Sequence, residues 1–352
     1  MTFEEYFSNS KSEIESHFKK IIRERNNLEV PKSLDDLNLL PEIEDFALRG
    51  KFIRGTLFLL TCQILGQNIT GKNLSIAVSI ELVHSALLMQ DDIIDNDNLR
   101  RGKPTVFAKY EARGKEIRVT DSLHYGHSMA IVASDVCIFL AYEILSQIKN
   151  KNMPEILKCF SREIYLTAFA EGLDTELGQV NREATKEDIL SVYRYKTARY
   201  TFSMAFLMGC IYSNADENTK KILDEIGEKA GIIFQLKDDE IGFFGEEKDI
   251  GKPVGSDIRE NKKTLLRYFL FKKASIDDKN KLDEYFGNSN LSGKQIAEVR
   301  LLAEKYGVLK ESEKYIDSNM KEIDILFSSI SIKNEYMDIL KKLFVYNLKR
   351  AS

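Results

Sequence analysis

Two short acidic runs carry the strongest chemical signal in the chain. The first is Asp91-Asp92-Ile93-Ile94-Asp95. On a helix Asp91 and Asp95 share a face one turn apart, and Asp92 sits about 100° round from Asp91. Like charges so placed repel one another and weaken the helix unless a cation compensates them. Taken alone, the run reads equally well as a solvated helix end. The second run, Phe234-Gln235-Leu236-Lys237-Asp238-Asp239, again sets an Asp pair at the end of an apolar helical stretch, with Gln235 and Asp239 spaced to share a face. Two acidic pairs that each terminate a buried helix could face one another across a bundle cavity. Hard carboxylate oxygens with little His or Cys nearby suit magnesium, which keeps its waters and bridges carboxylates to phosphates.

A site that gathers this much negative charge needs positive charge to hold an anionic ligand. Lys51 and Arg54, in Gly50-Lys51-Phe52-Ile53-Arg54-Gly55, are three apart and able to clamp one diphosphate from a single helix face. Arg100-Arg101 follows the first acidic run, and Lys252 and Lys262 flank a glycine-bearing stretch. Each of these alone is ordinarily a surface charge. Lys196 differs, because a lysine among Tyr193, Tyr195, Tyr200 and Phe202 is costly to bury without an anion. His84, on an apolar helical face, by itself reads as a hydrogen-bonded core histidine.

The elements that must position these groups are helices. Only five prolines occur in 352 residues, and apolar residues recur at three- and four-residue spacing. Along 74–95 the positions Ala77, Glu81, His84, Leu88, Asp91 and Asp95 form one stripe. Similar runs cover 127–149, 155–180, 187–212 and 217–244. The runs 127–149 and 187–212 are apolar over much of their circumference, which predicts burial inside a bundle. Residues 97–126 and 245–261 read as irregular surface segments, and the chain from about Asp277 as amphipathic helices. With no linker rich in Pro, Gly or Ser, residues 1–352 read as a single all-α domain.

Composition narrows the class further. A net charge of -4 argues against a nucleic-acid-binding surface. The four cysteines, Cys62, Cys137, Cys159 and Cys210, form no CxxC pair, which argues against a disulfide framework or structural zinc and for a reducing, cytoplasmic setting. Polar residues interrupt every long apolar stretch (Thr61 and Gln63, Glu81 and His84, Asp135), so no integral membrane span is expected. The start, MTFEEYFSNSKSEIE, lacks a signal peptide's apolar region.

Read in order, GKFIRG, HSALLMQDDIIDNDNLRRGKPT, AEGLD, YKTARY, FQLKDDEIGFFG and GKPVGSDIRENKKT make the chain resemble the trans-isoprenyl diphosphate synthases of the polyprenyl synthetase family. The likeness is to archaeal-type, geranylgeranyl diphosphate synthase-like members and runs from about Gly50 to Thr264, and in weaker form to the C-terminus. It implies an isoprenoid synthase helical bundle around a deep central cavity, usually as a homodimer. It also implies head-to-tail condensation of isopentenyl diphosphate with an allylic diphosphate (dimethylallyl, geranyl or farnesyl). By that carry-over Asp91, Asp92, Asp95, Asp238 and Asp239 hold magnesium on the allylic diphosphate. Arg100, Lys196, Thr197, Gln235, Lys252 and Lys262 contact the same substrate, and Lys51, Arg54, His84 and Arg101 hold isopentenyl diphosphate. Lys196 and the five aspartates carry the catalysis.

Two positions depart from the family pattern. Gly242 stands where the second motif commonly ends in a third Asp, a change shared with archaeal-type relatives, and Glu171 replaces the usual Gln of GQxxD. In the family, bulky residues a turn before the first motif form the floor under the growing chain. Here those positions are Ala86 and Leu87, which disfavours a farnesyl-sized stop. Geranylgeranyl diphosphate is the expected product, with geranylfarnesyl, hexaprenyl or longer chains next. A class I terpene cyclase shares the first motif but usually carries an NSE-type motif in place of the second, and no such motif occurs here. A non-catalytic synthase subunit tends to lose aspartate motifs, and this chain keeps both pairs.

Overall fold

The computed structural model describes residues 1–26, 31–180, 182–245 and 255–349, and divides into two compact units. The first comprises residues 1–157 with 212–214, and the second residues 158–211 with the chain from 215 onward.

The first unit contains α1 (Phe3–Asn26), α2 (Lys32–Asp35), α3 (Leu39–Leu48), α4 (Ile53–Ile64) and α5 (Gly71–Ile94). A two-stranded antiparallel ribbon follows, β1 (Leu99–Arg100) with β2 (Lys103–Pro104), then α6 (Val106–Glu116) and α7 (Ser122–Ser146). Thr70 starts α5, its N–H donating to Asn73 Oδ1 at 3.0 Å, and Asp121 starts α7 by accepting from His124 N at 2.9 Å. Phe18, Phe58, Leu57, Ile14 and Ile43 fill the core beneath these helices.

The stretch 97–126, expected to be irregular, instead holds the ribbon and the eleven-residue α6. Lys109, Glu111, Arg113, Lys115 and Glu116 hid its buried side, which is Val106, Phe107, Tyr110 and Gly114. At Gly126 of α7 a Cβ would stand 2.5 Å from Phe107 O, so the two helices meet almost backbone to backbone.

Helix α7 is not enclosed as its composition suggests. It packs on one side and leaves Ile131, Val132 and Phe139 exposed, Phe139 by 72%. Helices α5 and α7 are also each long and apolar enough to cross a membrane by length and composition alone, a test that buried core helices pass as well. The polar interruptions do not bring their mean hydropathy low enough, although 67% of the most apolar window of α5 and 50% of that of α7 is buried inside the protein.

Helix α8 (Met153–Gln179) begins in the first unit and continues into the second. There follow α9 (Lys186–Val192), a π-helical segment (Tyr193–Ser203), α10 (Met204–Tyr212) and α11 (Glu217–Phe244). The predicted helix 187–212 is thus interrupted by eleven residues of wider winding. Gly227 and Gly231, four apart on α11, face that segment. A Cβ at Gly231 would lie 2.2 Å from Ala198 Cα, and one at Gly227 would lie 2.8 Å from Ser203 N. Beyond come α12 (Ser256–Arg259), α13 (Leu265–Lys273), α14 (Ile276–Tyr285), α15 (Gly293–Lys305), α16 (Val308–Ser329) and α17 (Glu335–Lys349). Most of the predicted loop 245–261 lies outside the described residues. Among the described residues, none of the four cysteines is joined in a disulfide.

Candidate functional site

In the first unit the acidic run occupies the last turn of α5, with Asp95 as its C-cap. A helix C-terminus already carries partial negative charge, so three carboxylates there call for a cation. Arg100, from β1, supplies it. Its Nη2 donates to Asp91 Oδ2 at 2.7 Å and its Nε to Asp92 Oδ1 at 2.5 Å. Burial works against the Arg100 charge, but Asp92 and Asp91 outweigh it and raise the guanidinium pKa. Asp92 is buried, and its burial lifts the carboxyl to about 6 against the pull of Arg100. Its second oxygen, Oδ2, has no hydrogen-bond partner among the described residues.

That bare, buried oxygen is spare coordination capacity. Among the described residues no three His, Cys, Asp or Glu side chains converge to cage a metal by themselves. Magnesium is ordinarily held through one or two carboxylates, with water and substrate phosphates completing its shell. An all-oxygen acidic turn with one unengaged buried oxygen fits that mode.

Two turns earlier on α5, His84 Nε2 lies 3.1 Å from Arg54 Nη1. Since the guanidinium can only donate, this nitrogen accepts. Burial and then Arg54, Arg101 and Arg100 hold the imidazole well below its ordinary pKa, so it stays neutral. Lys51 is exposed just before α4, and Arg101 is exposed with a left-handed backbone (φ 55) in the turn between the strands.

In the second unit Asp238 and Asp239 sit within α11, which runs on to Phe244 rather than ending at them. Asp239 is buried and anchored. Gln235 Nε2 donates to its Oδ1 at 2.9 Å, and the Tyr193 hydroxyl donates to its Oδ2. Thr197 Oγ1 donates to Gln235 Oε1 at 2.6 Å, and Leu265 N donates to Tyr193 Oη at 2.9 Å. This chain of hydrogen bonds ties α11, the π-helical segment and α13 together. Burial, followed by Asp257, pushes the Asp239 carboxyl well above its ordinary pKa. Asp257 Oδ2 stands 2.8 Å from where a Cβ at Gly242 would be, so it fills the space that a longer residue there would need.

Lys196 does have its anions, and they are the chain's own. Its Nζ is 2.8 Å from Asp174 Oδ2 and 2.9 Å from Glu171 Oε2. Glu171, the departure from GQxxD, is therefore a partner of Lys196. Lys262 pairs with Glu260 at 3.1 Å, and Lys252 lies outside the described residues.

Sequence reasoning missed Tyr193 as the anchor of Asp239 and noted Glu81 only as a member of the α5 stripe. The signal for Glu81 was visible, an acidic residue amid Ile80, Leu82 and Val83. Tyr193 carried none, since one of four clustered aromatic residues reads as packing.

The sequence profile of the polyprenyl synthetase family matches residues 39–302. The short chain isoprenyl diphosphate synthase of Methanocaldococcus jannaschii is 35% identical over 251 residues, covering 71% of each chain. The geranylgeranyl diphosphate synthase of Saccharolobus solfataricus is 31% identical over 291 residues, covering 80% of this chain and 82% of that one. The solved geranylgeranyl pyrophosphate synthase of Corynebacterium glutamicum, complexed with isoprenyl diphosphate and magnesium, superposes with a TM-score of 0.88 at 24% identity over the whole of both chains. The fold and these relatives together define an all-α isoprenoid synthase that acts as a prenyltransferase. The chain belongs to the polyprenyl synthetase family.

Proposed function

We propose that this prenyltransferase joins isopentenyl diphosphate to dimethylallyl, geranyl or farnesyl diphosphate, head to tail, and releases geranylgeranyl diphosphate as its main product. Helix α5 carries the reading. The Arg54–His84 pair lies two turns before an acidic turn that keeps one bare carboxylate oxygen.

On this reading Asp91, Asp92, Asp95, Asp238 and Asp239 hold magnesium, and the metal when bound offsets charge on the departing diphosphate. Arg100, Lys196, Thr197, Gln235, Lys252 and Lys262 orient the allylic diphosphate. Their positive charges and donors favour the state in which the allylic carbon–oxygen bond has broken and its electron pair has gone to the diphosphate. Lys51, Arg54, His84 and Arg101 hold isopentenyl diphosphate so that its double bond supplies the electrons of the new carbon–carbon bond. The proton lost afterwards goes to the released diphosphate, so no side chain is needed as base. Apolar side chains that exclude water protect the allylic cation from capture.

The two units act as one catalytic domain in the cytoplasm, and the chain works as a homodimer. The exposed apolar face of α7 at Ile131, Val132 and Phe139 supports self-association.

Incubation with isopentenyl diphosphate, each allylic primer and magnesium, followed by product sizing, tests the whole reading. Asp91→Ala and Asp238→Ala should each lower kcat by about 10³-fold or more while far-UV circular dichroism stays native. Full turnover in either variant removes the metal assignment.

A further inference from the structure

The first turn of α4 has an unusual support. Phe52, the residue before it, is left-handed (φ 56) and provides no side-chain cap. The N–H groups at a helix start have no partner within the helix and must find one elsewhere. Here they find Glu81, from the middle of α5. Glu81 Oε1 accepts from Gly55 N at 2.8 Å, and the Arg54 N–H donates to the same carboxylate.

Gly55 makes the reach possible. A Cβ there would lie 3.1 Å from Ala77 O, so the start of α4 rests directly on α5 one turn before Glu81. Glu81 thus holds the backbone of Arg54, while His84, three residues further along α5, meets its guanidinium at 3.1 Å. Lys51 enters the same turn from just outside it.

We propose that Glu81 is a positioning residue for the isopentenyl diphosphate cradle: its buried carboxylate holds the first turn of α4 and so sets where Lys51 and Arg54 stand. The inference rests on the reading that Lys51 and Arg54 bind that substrate. A carboxylate beside an anion-binding site opposes the ligand by its charge, so what it contributes is geometry. Burial raises its pKa, while the two N–H groups, Arg54 and Arg101 oppose that rise and favour the charged form.

Charge and geometry separate by substitution. Glu81→Ala removes the acceptor and should raise the KM for isopentenyl diphosphate about tenfold. The KM for farnesyl diphosphate and kcat at saturation should stay within about twofold. Glu81→Gln keeps an acceptor for Gly55 and drops the charge, so it should bind isopentenyl diphosphate at least as tightly as the native chain in calorimetry. The inference is overturned if E81A leaves that KM unchanged, if both KM values rise together, or if E81Q binds isopentenyl diphosphate tenfold more weakly. The E81Q measurement stands even if E81A does not fold. Arg54→Met is the control for the cradle. An unchanged isopentenyl diphosphate KM in R54M removes the cradle and the inference with it, whereas a rise in R54M with none in E81A removes the positioning role alone.

Discussion

At the scale of single residues, Ala86 is wholly buried, so a larger side chain there either enters a hollow or strains the packing. Ala86→Phe should shorten the main product while the melting temperature falls by no more than a few degrees. Unchanged product length with a loss of about 2 kcal/mol in urea unfolding would mean that the position is packed solid and forms no floor. Among the charged residues, the acids were legible in the sequence and their partners were not. Asp91, Asp92, Asp238 and Asp239 stand out because clustered carboxylates near apolar helical stretches have few bland explanations. That Arg100 bridges Asp91 and Asp92, and that Lys196 is matched by Glu171 and Asp174, depends on a ribbon and a π-helical segment that residue spacing does not reveal.

At the scale of elements, the long periodic helices were read to within a few residues, α11 among them, because a 3.6-residue stripe survives over many turns. The failures were local. Helix α6 was hidden by its charged side. The π-helical segment was hidden because one apolar pattern serves either winding, and the choice between them comes from neighbours. Those neighbours are Gly231 beneath Ala198, which permits the close approach, and Arg199, which fastens the segment to two helices. Arg199 Nη2 is 2.7 Å from Glu163 Oε1 on α8, and its Nη1 lies 3.3 Å from Asp224 and 3.5 Å from Glu228 on α11. Glu163 is 2% exposed, and removing its partner would leave a buried charge uncompensated. Arg199→Met should therefore destabilise the fold by about 3 kcal/mol in urea unfolding. A loss under about 1 kcal/mol would show that water or another cation replaces the guanidinium there.

At the scale of the whole molecule, the all-α class was readable from composition and period, while the bare face of α7 was not. A helix apolar on all sides predicts burial, and sequence does not say whether the cover comes from the same chain or from a second copy. Sedimentation equilibrium should find a dimer at micromolar concentration, and Phe139→Asp should shift it to monomer. A native chain that sediments as a monomer would leave that face unexplained by self-association. One arrangement at the first acidic turn also bears on how the protein lives between catalytic cycles. Because Arg100 already answers the charge of Asp91 and Asp92, this turn should fold without a divalent ion, unlike domains whose metal is a structural staple, and unchanged urea unfolding in EDTA would check it. If the acidic turn holds magnesium as proposed, scarcity of the ion would idle the enzyme without condemning it to degradation, and a returning supply would restart it with no new synthesis.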